Sequence, residues 1–390
     1  MKNFFLFIFL VGCFNLTAQT WQSAPFFLGG ERDDAVGFSI DTIGYVGTGR
    51  DAGFQYRSDF YQFQNNQWTP IASLLGIERQ YVCSFSLNHT GCVLTGVAPN
   101  DSLLNEMQCY DPMTNQWTIE PSFPGGARLQ AASFSIGNYG FCGGGRNLTS
   151  DFNDWYCYHA ATNNWNAISP YPKACHEAVA FSINGMGYVG LGKSLSTTYY
   201  SDFYSYNPIT NEWKAIASFP GAVRTYTTAF AIGEMGYVVT GQDENGVFSN
   251  ECWQYNPQTD SWNQLIDFPF ETKRGVAHFT VDHCAHIVTG LDDAFQRLNT
   301  HQTYCVELDE ISPSVLLYPN PSAGIFALQV KGEHMISSLS IYNFLGILVY
   351  QNELNAQYQL IDSSLDIGCY LLHIKFKTGE EEIKKLVIVK

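Results

Sequence analysis

The sequence predicts an all-β chain of 390 residues in which six four-stranded blades close into a ring, followed by a small antiparallel sandwich. Three observations predict it. Trp21, Trp68, Trp117, Trp165, Trp213 and Trp262 are separated by 47, 49, 48, 48 and 49 residues. A phenylalanine keeps step at Phe38, Phe85, Phe134, Phe181, Phe230 and Phe279, and a glycine follows each by eleven residues, at Gly49, Gly96, Gly145, Gly192, Gly241 and Gly290. Beyond Asp309 these markers stop, while period-2 alternation continues to the end. A period near 50 carrying short alternating segments is the pattern of propeller blades.

Composition narrows the class of protein. With 45% hydrophobic, 15% aromatic and 14% charged residues, the chain lacks the charge density of disorder or of long solvated helices. A formal net charge of -16 argues against nucleic acid and anionic membrane surfaces as partners. No apolar run after the first twenty residues is long enough to span a bilayer.

In chain order, Lys2, the apolar run Phe4 to Val11 and the small residues Thr17 and Ala18 predict a signal peptide over 1–18, cleaved after Ala18. Leu10-Val11-Gly12-Cys13 is a competing lipoprotein-type cleavage box. Either route leads out of the cytoplasm, where disulfides persist. Cys92 with Cys109, Cys142 with Cys157, and Cys284 with Cys305 are each placed to bridge neighbouring strands, or else are buried thiols. No C-x-x-C spacing suggests zinc.

The ring is assigned to 19–309. Each repeat reads as four strands: Ala35–Ile40 as a, Gly44–Gly47 as b and Asp59–Phe63 as c, then an Asn-Pro-x-Thr-Asn type of turn (Asn207–Asn211) into d, which the Trp opens. Gly44, Gly91, Gly140, Gly187 and Gly236, with Ala285 in the sixth copy, sit five places before the glycine marker. Tyr110, Tyr158, Tyr206 and Tyr255 precede their Trp by seven. The aromatic ladder is read as packing between blades. The sixth a–b–c set has no Trp strand after it, whereas Trp21-Gln22-Ser23-Ala24-Pro25-Phe26 precedes the first set. The N-terminal segment is therefore expected to supply the last outer strand and close the ring. In spacing and in its Tyr and Trp positions, 20–309 resembles the kelch family of β-propellers. It departs at the usual Gly-Gly pair, which only Gly143-Gly144-Gly145 approaches.

A linker is read at 310–316 and the second domain at 317–390. Its motifs are Tyr318-Pro319-Asn320-Pro321 leading to Gly324, the turn at Gly346, Gly368 with Tyr370, and a basic end containing Lys385. In this order they resemble the type A C-terminal sorting domain of the type IX secretion system of Bacteroidota. The resemblance implies the type IX machinery as partner. It also implies passage through the periplasm to the outer-membrane surface or the medium.

The b–c loops are long and the a–b turns short, so the face bearing the d–a and b–c connections is the candidate site. Six residues before each Phe marker stand Arg32, Arg79, Arg128, Cys175, Arg224 and Lys273, and just after the Gly marker stand Arg50, Arg146 and Lys193. Of thirteen Lys and Arg between 19 and 309, only Lys214 lies outside these connections. Guanidinium forks suit carboxylate, sulfate or phosphate. Against this, Asp51, Asp101, Asp151, Asp243, Glu244, Asp292 and Asp293 could neutralise the same cations as surface pairs. Phe54, Tyr56, Tyr199, Tyr200, Phe248 and Phe295 could stack on sugar rings or peptide side chains.

The slot without a cation reads Cys175-His176-Glu177. It offers His176 and Glu177 as an acid/base pair, with Glu177 on the side of its strand occupied elsewhere by Asp34, Tyr81, Gln130 and Tyr226. Some kelch propellers that this chain resembles are sialic acid mutarotases, which makes a carbohydrate-active isomerase the alternative function. Copper of the galactose oxidase type is not expected, because His278, His283 and His286 lie on adjoining strands. No phosphate-binding or nucleophile-elbow motif appears, and no cofactor or metal is expected. The expectation is a secreted or surface-bound recognition module for glycan or protein.

Overall fold

A computed structural model describes residues 20–87, 89–306, 314–322, 324–331, 334–343, 345–363 and 365–389. The expected signal peptide, Cys13 and most of the expected linker lie outside the described residues. The chain divides into two compact units, Met1–Glu307 and Leu308–Lys390.

The first unit is a ring of six antiparallel four-stranded sheets. In the first blade the strands run a Val36–Ile40, b Ile43–Gly47, c Phe60–Gln64 and d Gln67–Ile71. The sixth blade takes a, b and c from Ala277–Val281, Cys284–Val288 and His301–Cys305, and its outer strand from Thr20–Ser23, with Trp21 opposite Tyr304. Ring closure by the N-terminal strand is thus observed.

The repeat markers hold blade to blade. A Cβ built on Gly44, Gly91, Gly140, Gly187 or Gly236 would strike the marker Phe of the preceding blade, Phe279, Phe38, Phe85, Phe134 and Phe181 respectively, at 2.0–2.5 Å. At these five positions a side chain would meet the ring, whereas in the sixth copy Ala285 packs with Phe230 in one apolar cluster. The strand-d indole N–H groups of Trp68, Trp117, Trp165, Trp213 and Trp262 donate to the carbonyls of Pro25, Ala72, Pro121, Ser169 and Ala217, all in the segment leaving the preceding blade, at 2.8–3.1 Å. The tyrosines seven residues earlier complete the tie. Tyr206 Oη donates to Asn211 Oδ1 at 2.9 Å, and that oxygen also accepts the Ser169 N–H at 2.8 Å. Tyr255, Asp260 and Ala217 repeat the arrangement.

Two of the three cysteine pairs are bonded, Cys92–Cys109 and Cys284–Cys305. Cys142–Cys157 is corrected, and register is the reason. The bonded partners stand directly opposite on strands b and c. Cys142, however, faces Tyr156 while Cys157 faces Phe141, so their side chains leave opposite faces of the sheet. The Cys142 thiol instead meets Cys83 of the second blade, Sγ to Sγ 3.7 Å.

The second unit has a three-stranded sheet (Ser314–Tyr318, Ile325–Lys331, Tyr358–Asp362) and a four-stranded one (Leu348–Ala356, Ile336–Asn343, Gly368–Phe376, Glu381–Ile388). Its first strand begins at Ser314, inside the stretch read as linker. One apolar core joins Phe326, Leu328, Leu339, Ile341, Tyr370, Leu372 and Leu386. Asn320 knits the start of the domain to its last strand, donating to Lys385 O at 2.6 Å and accepting from Val387 N at 2.9 Å. Gly324 and Gly346 take positive φ, 110° and 77°. Tyr370 Oη donates to Asp366 O at 2.8 Å, and Tyr318 Oη to Gln329 Oε1 at 3.0 Å. Lys385 is exposed, paired across the sheet with Leu371.

The closing blade departs from the repeat in a way that carries a pH dependence. His286 and His301 replace apolar side chains found in other copies, for example Tyr45 and Phe60. His301 Nδ1 lies 3.2 Å from Pro25 O and its Nε2 lies 2.8 Å from His286 Nδ1, amid Phe63, Trp68 and Phe279. Burial lowers His286 to about 4; burial, His286 and Lys273 lower His301 to about 3. Above pH 6.5 both are neutral, folded or unfolded. As pH falls from about 6.5 toward about 4, the unfolded chain takes up protons that the folded chain refuses. Stability should therefore drop, by up to about 1.4 kcal/mol per unit per histidine. Urea denaturation at pH 7 and pH 5 should show a smaller loss in H286F/H301F than in the wild type. An equal loss would place the acid sensitivity elsewhere.

Candidate functional site

The five slot cations lie beneath the candidate face and not on it. Arg32, Arg79, Arg128, Arg224 and Lys273 are at most 1% exposed. Each reaches the residue that opens strand c of its own blade. Arg32 meets both oxygens of Asp59 at 2.8 and 3.1 Å and Thr48 O at 3.0 Å. Arg128 meets Asp154 at 2.6 and 3.0 Å and Gly144 O at 2.9 Å, and Arg79 meets Glu106 at 2.7 Å. Arg224 bonds Glu251 and Ser249, and Lys273 bonds Thr300 and Gln302. Burial alone would raise the Asp59 carboxyl, but the hydrogen bonds and charge of Arg32 hold it below its usual value. In the fourth blade, where Cys175 fills the slot, Lys173 reaches Asp202 instead.

The expectation that these five cations face a ligand is corrected in this respect: they are buried, and their bonds go to backbone carbonyls and strand-c partners, with Arg32 Nε and Arg79 Nη1 left without a partner. Those partners were missed in the sequence, although Asp59, Glu106, Asp154, Asp202 and Glu251 recur at 47, 48, 48 and 49 residues. The loop carboxylates named as their partners act otherwise. Asp51, Asp243 and Asp292 accept backbone N–H groups inside their own turns, and Asp151 accepts from Leu195 N.

What does face outward begins at the channel mouth. Asp34, Tyr81, Gln130, Glu177, Tyr226 and Gly275 occupy one position in six successive blades, and all have φ between 52° and 60°. Backbone bonds link them around the axis: Asp34 N to Gly275 O at 2.8 Å, Gly275 N to Tyr226 O at 3.1 Å, and Glu177 N to Gln130 O at 3.1 Å. A Cβ on Gly275 would lie 2.5 Å from Asp34 Oδ1, so the sixth blade needs glycine there. This collar lines a well of about 150 Å³. The rings of Tyr81 and Tyr226 meet with centroids 6.3 Å apart. Burial and the neighbouring Asp33 and Glu177 charges push the Asp34 carboxyl well above its usual value, against the pull of Arg274 and the Tyr81 hydrogen bond. Glu177 bonds Gln130 and lies 3.5 Å from Lys193.

Beside the well, between the third, fourth and fifth blades, is a pocket of about 590 Å³ lined by Arg146, His176, Lys193, Tyr199 and Glu244, among others. Arg146 Nε donates to Gln130 Oε1 at 2.9 Å, which joins pocket and well. His176 Nδ1 lies 2.6 Å from Asp151, and burial lowers its pKa despite the Glu177 and Asp151 charges. His176 therefore lines the pocket while Glu177 lines the well. The two line different cavities and do not form one acid/base constellation. Arg50 lies elsewhere on the rim, its Nε donating to Phe54 O at 3.2 Å. His278 lines the channel, whose lumen is about 450 Å³, and His286 lies in the core against His301. Among the described residues no His, Cys, Asp and Glu group could hold a metal ion.

Comparison with known proteins bears on both units. Residues 316–389 match the family described as Secretion system C-terminal sorting domain. The solved structure of YjhT superposes with a TM-score of 0.62 over 79% of this chain and 99% of that chain, at 11% identity. At that identity the likeness shows the fold alone. Because 541 solved chains match significantly, the fold by itself points to no single activity. No curated protein matches significantly. The chain is a β-propeller joined to a sorting domain, and that domain directs it through the type IX secretion system to the cell surface or the medium. Among the described residues no helix is long and apolar enough to cross a membrane.

The buried pairs make a stability prediction. R128A should cost about 3 kcal/mol, because it strands Asp154 and three acceptors; Asp154 is 35% exposed, which keeps the loss at the low end. Urea denaturation of the full chain measures it. A loss below about 0.5 kcal/mol would mean the pair is not a structural tie.

Proposed function

We propose that this exported propeller is a recognition module that binds a glycan through the face bearing the d–a and b–c loops. One observation supports the reading above others: Arg146 and Lys193 flank a pocket of about 590 Å³ that opens beside a polar, tyrosine-lined well. Unlike the five slot cations, both line a cavity. The Lys193 ammonium lies 5.5 and 5.7 Å from the ring centres of Tyr199 and Tyr226. A sugar offers what such a surface recognises: hydroxyls for Gln130, Asp34 and the tyrosine hydroxyls, CH faces for the rings, and, where acidic, a carboxylate or sulfate for the cations. The other end of the ring offers short a–b turns, which give less to read.

The competing reading is a sugar isomerase. It is favoured by one feature, the carboxyl groups of Asp34 and Glu177 lining the same small well, with that of Asp34 raised well above its usual value. General acid–base chemistry needs such a pair of groups. His176 is no longer part of that argument.

A glycan array probed with the mature full chain tests the recognition reading. R146A/K193A should bind its best glycan at least tenfold more weakly, and wild-type binding should weaken with salt. A protein ligand would instead leave the array blank. Anomer interconversion followed by NMR decides the alternative: turnover abolished by D34N, with affinity retained, would replace recognition by catalysis.

A further inference from the structure

The b–c loops carry a second feature that the well and the basic pocket do not use. In the first, fourth, fifth and sixth blades the loop folds back as a three-residue hairpin. Asp51 N bonds Gln55 O, Ser194 N bonds Thr198 O, Asp243 N bonds Val247 O and Asp292 N bonds Gln296 O, all at 2.9–3.0 Å. Such a hairpin demands a left-handed residue at its last turn position, a place glycine fills without cost. The fifth blade has Gly246 there, with φ 83°. The fourth blade has Thr197, with φ 67°, and the first and sixth have Phe54 and Phe295, with φ 62° and 58°. A bulky side chain is costly in this conformation. Nor is the cost recovered by burial, since Phe54 is 59% and Phe295 62% exposed. Two strained aromatic rings held out to solvent are not explained by folding.

Their surroundings indicate what they meet. The Phe54 ring has the Arg50 guanidinium 5.1 Å and the Arg297 guanidinium 4.6 Å from its centre. Arg297 belongs to the same loop as Phe295. The Phe295 ring lies edge-on to Phe248 at 6.0 Å, and Arg274 spans from Phe248 at 5.8 Å to Tyr226 at 4.1 Å. Aromatic rings alternating with guanidinium groups thus run from the rim over the first, sixth and fifth blades to the edge of the well. The basic pocket lies on the other side, over the third to fifth blades.

We propose that Phe54 and Phe295 form a second subsite that stacks on the sugar rings of an acidic polysaccharide, with Arg50 and Arg274 attracting its carboxylate or sulfate groups, while Arg297, ion-paired with Asp33 at 2.7 Å, supports the Phe54 ring. This rests on the glycan-binding reading and deepens it: the ligand is an extended anionic chain crossing the face, not a single sugar in the well. Aromatic faces take the CH faces of pyranoses, and cations beside them select acidic units.

The test exploits the strain. F54G/F295G removes both rings and gives each turn the residue its backbone prefers; F54N/F295N does the same with a second residue that tolerates the conformation. Wild-type and variant chains are run in native gels containing polygalacturonate, chondroitin sulfate or neutral laminarin, and their melting temperatures are measured. The expected result is retardation of the wild type by one of the acidic polymers, and an apparent dissociation constant raised at least tenfold in both variants. Their melting temperatures should equal or exceed the wild type's. A melting temperature several degrees lower in both variants overturns the proposal, because the rings would then be structural. Retardation that survives both variants but is lost in R146A/K193A overturns the subsite and leaves the glycan reading standing. A wild type retarded by none of the three polymers, or by laminarin alone, overturns the acidic-polysaccharide subsite; glycan binding as such is then decided by the array.

Discussion

The hydrogen bond from five strand-d indoles to the backbone leaving the preceding blade is the contact on which the rest of the ring depends; Trp21 of the sixth blade makes no such bond and packs on Phe268 and Tyr304 instead. A single four-stranded blade cannot bury both of its faces, so it is stable only between neighbours. The indole bonds set the spacing of those neighbours, and the marker Phe seated on a glycine of the next blade fills the gap between sheets. Each neutral hydrogen bond contributes about 1 kcal/mol, and the aromatic burial around it contributes more. At the seam the same contact recurs with an added partner: Pro25 O receives the indole of Trp68 and faces His301 as well. The N-terminal strand is therefore held from both sides, by the first blade and the sixth.

Charge is sorted by depth on the candidate face. The lower layer consists of guanidinium groups bonded to the carboxylates that open strand c, together with carbonyls of the connecting segments. It ties each d–a connection to its own blade. Above it lie Arg50, Arg146, Lys193 and Arg274, in contact with aromatic rings, Gln130 and Glu177, and Arg297, which is paired with Asp33. An acidic protein can present a basic rim in this way, because its four buried slot arginines are already paired with carboxylates.

Much of this was legible in the sequence. Six copies, their strand order and the closing role of the N-terminal strand follow from markers that repeat because every blade makes the same contacts. The sorting domain was legible too, since Asn320, Gly324 and Tyr370 each make a bond or turn that the sandwich requires. The candidate site was legible only as a face. Arg32 and Arg146 both read as cations near a strand end. Which of them is buried depends on the carboxylate opening strand c, twenty-seven residues after Arg32, a position the aromatic markers did not draw attention to.

The sequence by itself determined that this chain is an exported ring of blades with a sorting domain, because periodicity and motif order are local properties of the chain. Only the tertiary structure decided which groups share a site. Adjacent residues such as His176 and Glu177 were sent into different cavities, while Phe54 and Arg297, from opposite ends of the ring's sequence, were brought together at the seam. Circular closure converts a large separation in sequence into direct contact; the repeat implied the closure, but not which loop side chains it would bring together.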